Sequence, residues 1–461
     1  MGEETTRVRF GFNGSIRVAA RGEKLSGNAG AMLLREVDDR IGVTKQLGRR
    51  LHDPRNPLMV QYTMTELLRT RLQMIALGFR DQGDADLLRR DPVLRVAVSE
   101  SAGLSPLGDA SLASQPTMSR LIDTLAMPSN LHQINSGLLE GAIRCGRDGR
   151  GLAKERVTID IDSFPIEVHG HQAGSEWNGH YGIRCYHPLI AMLDTGHWIG
   201  VELRAGNEHT AAGLQPFLDP LLDGVEAATG HKPRVRGDAG FPSGATLDSL
   251  EARGNEYVFR IRNNSALDAI AEPLLKRPEG RRPKQPREWV HDLEYQAKSW
   301  AKPRRIVVVV QERKDDLFLH HFVLITNADK ASWTAEQLVA DYRQRGTMEG
   351  RIAELQSVLM PALSCTMRGE DRAARDANEV QFRNAATLVL FALAFNLAHS
   401  ARLVFVRATK NPCALDRFRK KVLAVPALVV ISARRATIAL NAGLADLWTR
   451  FLSALAVPTA A

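Results

Sequence analysis

The hydrophobic period of the chain changes at Val157, and that change limits the fold more than any other feature. Upstream, residues 65–77 set apolar side chains at helical spacing with arginines between them, and residues 1–150 carry little strand signal. Downstream, Val157-Thr158-Ile159-Asp160-Ile161-Asp162 alternates strictly, so Asp160 and Asp162 share one face of a strand. Two apolar runs, 189–193 and 198–203, flank Asp194-Thr195-Gly196-His197 and read as a hairpin. A helix at about 210–224 leads to a short strand, Arg234-Val235-Arg236-Gly237, that delivers Asp238. A further helix precedes the strand Tyr257-Val258-Phe259-Arg260-Ile261-Arg262.

Two acids thus stand at predicted strand ends, where a lone Asp is more often a turn or capping residue. A third acid lies in Asp341-Tyr342-Arg343-Gln344-Arg345-Gly346-Thr347-Met348-Glu349. Read as one helix, this run puts Tyr342, Arg345, Glu349 and Gln356 on a common face. An acid, a cation and a phenol facing one way suit a metal ion and a phosphate better than a core. The plainer reading of Arg345 is a surface partner of Glu349 at i,i+4, worth a few tenths of a kcal/mol.

Net charge is +9, from 61 basic and 52 acidic residues, with a pI near 9.5, which favours a polyanionic partner. Cys145, Cys185, Cys365 and Cys413 form no CxxC pair, so reduced thiols in a cytoplasm are expected. Residues 1–9 are charged and no secretory signal follows. The most apolar run, 385–395, stops at Asn396, is too short to span a bilayer and reads as a buried helix.

The order of elements, three strands, helix, strand, helix, strand, resembles an RNase H-like sheet, a mixed five-stranded sheet with flanking helices in the α/β class. The ordered set of motifs resembles the DDE transposases of bacterial insertion sequences. Within them it is similar to the branch with a Tyr-x2-Arg-x3-Glu-x6-Lys signature, to which the transposon-five transposase belongs. Tyr342, Arg345 and Glu349 fit that spacing, and Gln356 stands where the lysine would be. The resemblance also rests on Asp160-Ile161-Asp162-Ser163, His169-Gly170-His171-Gln172, Asn178-Gly179, Gly237-Asp238-Ala239-Gly240-Phe241, Glu294-Tyr295 through Trp300 to Arg304-Arg305, and residues 378–396.

The resemblance implies a catalytic and metal-binding triad of Asp162, Asp238 and Glu349, holding two Mg²⁺ or Mn²⁺ ions. Asp160 is the rival for the first position, but Asp162 is nearer the strand end and Asp-Ser there looks like the family's Asp-Ser/Thr. Arg345 and Tyr342 would hold a phosphate, and Arg351 would replace the missing lysine's charge. The implied partners are double-stranded DNA, at terminal inverted repeats and at target, with a homodimer on the DNA and no membrane. The implied setting is a bacterial cytoplasm, beside the nucleoid. Cutting and joining by two-metal phosphoryl transfer is the expected activity. A transposase-derived DNA-binding protein without chemistry, and an RNase H-like nuclease or resolvase, are the alternatives.

Five segments are expected. Residues 1–150 form a helical DNA-binding domain, in which Ser119 and Arg120 open a capped helix suited to a helix-turn-helix reader, or to an ordinary bundle. Residues 151–265 and 331–400 form the two parts of the core. Between them, 266–330 is a basic, β-rich insertion read as a separate subdomain, and 401–461 is a basic helical region. In the insertion, Trp289 and Trp300 are candidates for stacking on a flipped base or for core packing. The basic run 276–287 is expected to meet DNA backbone. His169, His171, His180, His187 and His197 match no zinc pattern and read as loop and surface residues near DNA.

Overall fold

The computed structural model describes residues 8–18, 22, 24–108, 111–148, 157–169, 172–277, 279, 285–314, 316–364 and 377–456. It is a mixed α/β structure built on one large sheet. In chain order the strands are β1 (Thr158–Ser163), β2 (Leu189–Leu193), β3 (Trp198–Glu202), β4 (Arg234–Gly237), β5 (Tyr257–Ile261), β6 (Arg287–Tyr295), β7 (Arg304–Glu312) and β8 (Leu319–Thr326). Across the sheet they run β6-β7-β8-β5-β4-β1-β2-β3. β1, β2 and β3 are antiparallel neighbours, with the expected hairpin turning at Gly196 (φ +83°). β4 lies parallel to β1, and β5 parallel to β4. The crossover helices are α1 (Leu214–Thr229) and α2 (Gly244–Arg253).

The sheet has eight strands where five were expected. β8 pairs antiparallel with β5, Val258 opposite Thr326 and Ile261 opposite Val323, so β8-β7-β6 extends the main sheet and forms no separate subdomain. Residues Ile306 to Val310 are fully buried. Ile306, Val308 and Val310 join the core under α1 and α2 on one face. Val307 and Val309 pack on the other face against α3 (Ala335–Arg343), which Thr334 starts through a reciprocal capping box with Gln337.

After α3 the chain breaks at Gln344 and Arg345, then re-enters a helix, α4 (Gly346–Glu354), followed by a π turn over Leu355–Leu359. The signature run is therefore two helices and not one. Tertiary contacts meet at the break: Arg236 of β4 donates to the Asp341 carbonyl, which also accepts the Gln344 N–H at 3.0 Å, and Arg345 donates to Asp162 of β1.

The apolar run is longer than its sequence signal. Helix α5 (Ala377–Thr409) passes through Asn396, and by length and composition it could cross a membrane, yet 89% of its apolar window is buried in the protein. It shares one hydrophobic core with the N-terminal helices, including Met64–Leu77, and with Trp198 of β3. Two further expectations need correction. The N-terminal region carries strands: Val8–Phe10 pairs with Asn13–Val18, and Lys24–Ser26 pairs with Ala427–Ser432. The C-terminal region, read as helical, contains that strand and its hairpin partner Arg435–Ala439.

Candidate active site

The parallel strands β1 and β4 both end at the same edge of the sheet, and each end presents an acid. At this edge of an open α/β sheet, side chains beyond the strands face a crevice. Asp162 is the penultimate residue of β1, its Oδ1 accepting the Ser163 N–H at 2.9 Å. Asp238 follows β4 directly, its Oδ1 accepting the Gly240 N–H at 2.8 Å. Gly237 allows the strand to reach this point, because a Cβ there would meet Ile161 and Phe259 at 2.9 Å. Glu349 comes from the first turn of α4 and is exposed.

Arg345 joins these elements. Its Nη2 donates to Asp162 Oδ2 at 2.6 Å and its Nη1 to Glu349 Oε1 at 2.5 Å, while the side chain itself is nearly buried. The Asp162 carboxyl is pushed up to about 6, by burial first, and by the charges of Asp238 and Glu349. Arg345 and the Ser163 N–H oppose that rise. Asp162 therefore feels the charges of both other acids across the site. Tyr342, at the end of α3, is half-buried. Burial pushes its phenol up, with Arg345 and Arg260 opposing. Asp238, Tyr342, Arg345 and Glu349 line one open cleft of about 650 Å³.

Among the described residues no three His, Cys, Asp or Glu side chains stand close enough to hold one metal ion. Arg345 occupies the approach between Asp162 and Glu349. In donor chemistry the three carboxylates, with their hard oxygens, are of the kind that Mg²⁺ or Mn²⁺ takes. Asp160, the rival first acid, is committed elsewhere. It is buried in a bidentate pair with Arg236, at 2.5 and 2.8 Å, and lies away from the cleft lining.

Several candidates fall outside the cleft. Arg351 turns to Glu354 (3.0 Å) and lies beside Gly196 and His399, so it does not stand in for the missing lysine's charge at the acids. Gln356 sits in the π turn, donates to the Pro165 carbonyl at 3.2 Å and lines a different groove with Arg80, Glu167 and His169. Trp300 is half-buried, edge-on to Tyr295 at 5.4 Å with Arg304 5.1 Å from its ring, which is the packing reading. Trp289 is likewise half-buried, with Arg287 over it at 5.5 Å. Ser119 is tied to Gln82 (2.7 Å) and Gln115 (2.9 Å) inside the helical region, whereas Arg120 is exposed.

The basic run is partly neutralised within the protein. Arg277 and Arg287 both hold buried Glu312, each at 2.7 Å, and residues 280–284 lie outside the described ones. Of the five histidines, His169 and His180 are exposed, His187 and His197 are buried, and His171 is outside the described residues.

Sequence reasoning missed the support behind Glu349. Glu354, one turn on along α4, accepts from Arg402 at 2.5 Å, from Arg351 and from the Leu415 N–H at 2.9 Å. Arg402 also donates to His399 Nδ1 at 2.6 Å, and His399 Nε2 reaches the Thr195 carbonyl at 3.0 Å. With an arginine on Nδ1 and a carbonyl on Nε2, His399 is the neutral Nε2–H tautomer. This chain of bonds ties α4 to α5 and to the β2–β3 turn. The spacing of Glu354 behind Glu349 gave no hint of it, since its partners lie far away in sequence.

No curated protein matches the chain. Among solved structures, the cryo-EM structure of the piggyBac transposase synaptic complex with hairpin DNA is similar at 12% identity. That likeness covers 93% of this chain and 82% of that one, with a TM-score of 0.37. The family model described as transposase DDE domain group 1 matches residues 8–456, close to the full length, and the chain belongs to that family.

Proposed function

We propose that this protein is a DNA transposase of a bacterial insertion sequence that cuts DNA at the ends of its element and joins those ends to target DNA. One observation supports the reading: Arg345 holds Asp162 at the end of β1 and Glu349 on α4, and Asp238 at the end of β4 lines the same cleft as Arg345 and Glu349, in a chain of a DDE transposase family. The strand order β3-β2-β1-β4-β5, with β4 and β5 parallel to β1, supports an RNase H-like core extended by β8-β7-β6.

Asp162, Asp238 and Glu349 are the residues that would hold Mg²⁺ or Mn²⁺. Two such ions, when bound, supply an activated water or 3′-hydroxyl and stabilise the leaving oxygen in line. The chain's own part is positioning. Arg345 offers a planar, bidentate donor to a phosphate at the acids, and Tyr342 offers a hydroxyl in the same cleft. The Glu354 network fixes α4, and with it the carboxylate of Glu349. Residues 1–150 would bind the terminal inverted repeats, and two copies would bridge two ends, in a bacterial cytoplasm beside the nucleoid.

The test is cleavage and strand transfer on supercoiled plasmid carrying the element's ends, in Mg²⁺ or Mn²⁺, with Glu349→Gln alongside. End cleavage and insertion by the wild type, both lost in the variant, establish the reading. Binding of the ends without any cut, under either metal, would identify a DNA-binding derivative instead.

A further inference from the structure

The sheet extension and the chain beside it carry arginines of two kinds. Arg304 holds Glu251 and Asp248, Arg305 holds Asp292, and Arg277 and Arg287 hold Glu312. Arg260 and Arg313 are different. Both are exposed, both line the cleft of Asp238 and Glu349, and neither makes an ion pair among the described residues. Exposed cations that no internal carboxylate claims, beside the acids, are free to meet an incoming anion.

Their placement gives the partner's shape. In the parallel register Gly237 faces Phe259, so Arg260 lies beside Asp238, on the face that also carries α3. Its guanidinium is held 5.6 Å over the ring of Phe322 on β8, which fixes the cation without neutralising it. Arg313 follows the end of β7, two strands further from the acids. Two strand spacings are about 10 Å. Arg313 also lies six residues beyond Val307, the β7 residue level with Arg260, which adds about 20 Å along the strand. The two backbone positions are therefore roughly 22 Å apart, or about six phosphates along one strand of a duplex.

We propose that Arg260 and Arg313 form a phosphate track that leads one DNA strand from the acids across β5, β8 and β7. The extension is then the floor on which DNA next to the cleavage point lies, and Arg260 is a positioning residue for the reaction. The proposal rests on the transposase reading above.

The experiment measures binding of a fluorescein-labelled duplex, containing the terminal repeat and its flanking DNA, against NaCl concentration. Wild type is compared with Arg260→Ala/Arg313→Ala and with Arg260→Lys/Arg313→Lys, and cleavage of the same duplex by wild type in Mg²⁺ is followed in parallel. Each lost phosphate contact removes about 0.9 from the slope of log affinity against log salt. The alanine pair should therefore flatten the slope by about 1.8 with an unchanged melting temperature, and the lysine pair should restore it. A purely structural role would move the melting temperature and leave the slope alone. If wild type cleaves while the alanine pair keeps the full slope, the track is wrong and the transposase reading stands. If wild type neither binds nor cleaves, both fall together.

Discussion

Asp160 and Arg236 face each other across neighbouring parallel strands, buried and joined by two bonds of 2.5 and 2.8 Å. Arg236 also reaches the Asp341 carbonyl, so the pair clamps the end of α3 to the sheet two residues upstream of Asp162. The two aspartates on one strand face have separate tasks. One holds Arg236 inside the sheet, and the other holds Arg345, which lines the cleft.

Asp160→Asn should destabilise the protein by about 3–5 kcal/mol, since it removes the bidentate partner of a buried guanidinium. Asp162→Asn should leave the urea midpoint nearly unchanged while abolishing cleavage. A stable, inactive Asp160→Asn protein would reverse this assignment and make Asp160 the first acid of the chemistry.

Arg345 makes a second prediction, because it already neutralises the acids that are proposed to hold metal. Removing it leaves Asp162 and Glu349 without the cation that pairs them. Arg345→Gln should bind Mn²⁺ about tenfold more tightly, the effect of roughly 1.4 kcal/mol of relieved competition. It should also lose cleavage, since the phosphate grip is gone. Titration calorimetry with Mn²⁺ decides the first point. Weaker binding in the variant would mean that Arg345 arranges the carboxylates for the ion and does not compete with it.

The legible part of this site is the part set by local pattern. Strict alternation over residues 157–162 placed two aspartates on one strand face, and the short strand before Asp238 brought the second acid to a parallel neighbour. The extension was misjudged for a readable reason. Ile306 to Val310 is apolar without alternation, the mark of a strand buried on both faces, and a small exposed subdomain would not need one. Its partner β5 lies more than a helix away, and no local signal names that pairing. The break at Gln344 and Arg345 was hidden as well, because helical spacing on either side is unaffected by it. The groups that meet it there, Arg236 and Asp162, lie far away in sequence.

The β2–β3 turn carries a prediction about pH. His197 is fully buried between Thr195 (2.9 Å) and Ser400 (3.1 Å), 4.8 Å from His399. Burial first, then the charges of Arg351 and Arg402, push it down to about 3. The unfolded chain protonates this side chain near 6.5. Between those values the unfolded state binds a proton that the folded state refuses, so stability falls as pH falls. The slope from His197 alone is roughly 1.4 kcal/mol per pH unit. His399, also held well below its ordinary value by burial and its cationic neighbours, steepens it. Urea unfolding at pH 7 and pH 5 should differ by roughly 2 kcal/mol more in wild type than in His197→Gln. Equal pH dependence in the two proteins would mean that His197 takes up its proton in the folded state.

Asn396 breaks the most apolar stretch of the chain, and its side chain closes the edge of the sheet. Its Oδ1 accepts from the Trp198 N–H and its Nδ2 donates to the Trp198 carbonyl, both at 2.8 Å. β3 is the last strand of the sheet, so the outward backbone groups of Trp198 have no neighbouring strand. One amide on α5 supplies both missing partners inside a core made of Trp198, Phe395 and Phe391. Asn396→Leu fills the same space but leaves a buried N–H and a buried carbonyl unpaired, at about 1–3 kcal/mol each. The urea midpoint should drop accordingly, while the Mn²⁺ binding proposed at Asp162, two strands from this edge, stays intact in the protein that remains folded. Asn396→Asp keeps the acceptor, loses the donor and buries a charge, so it should be at least as damaging as leucine. An unchanged midpoint for Asn396→Leu would show that water reaches this edge and that α5 is held by its apolar side chains alone.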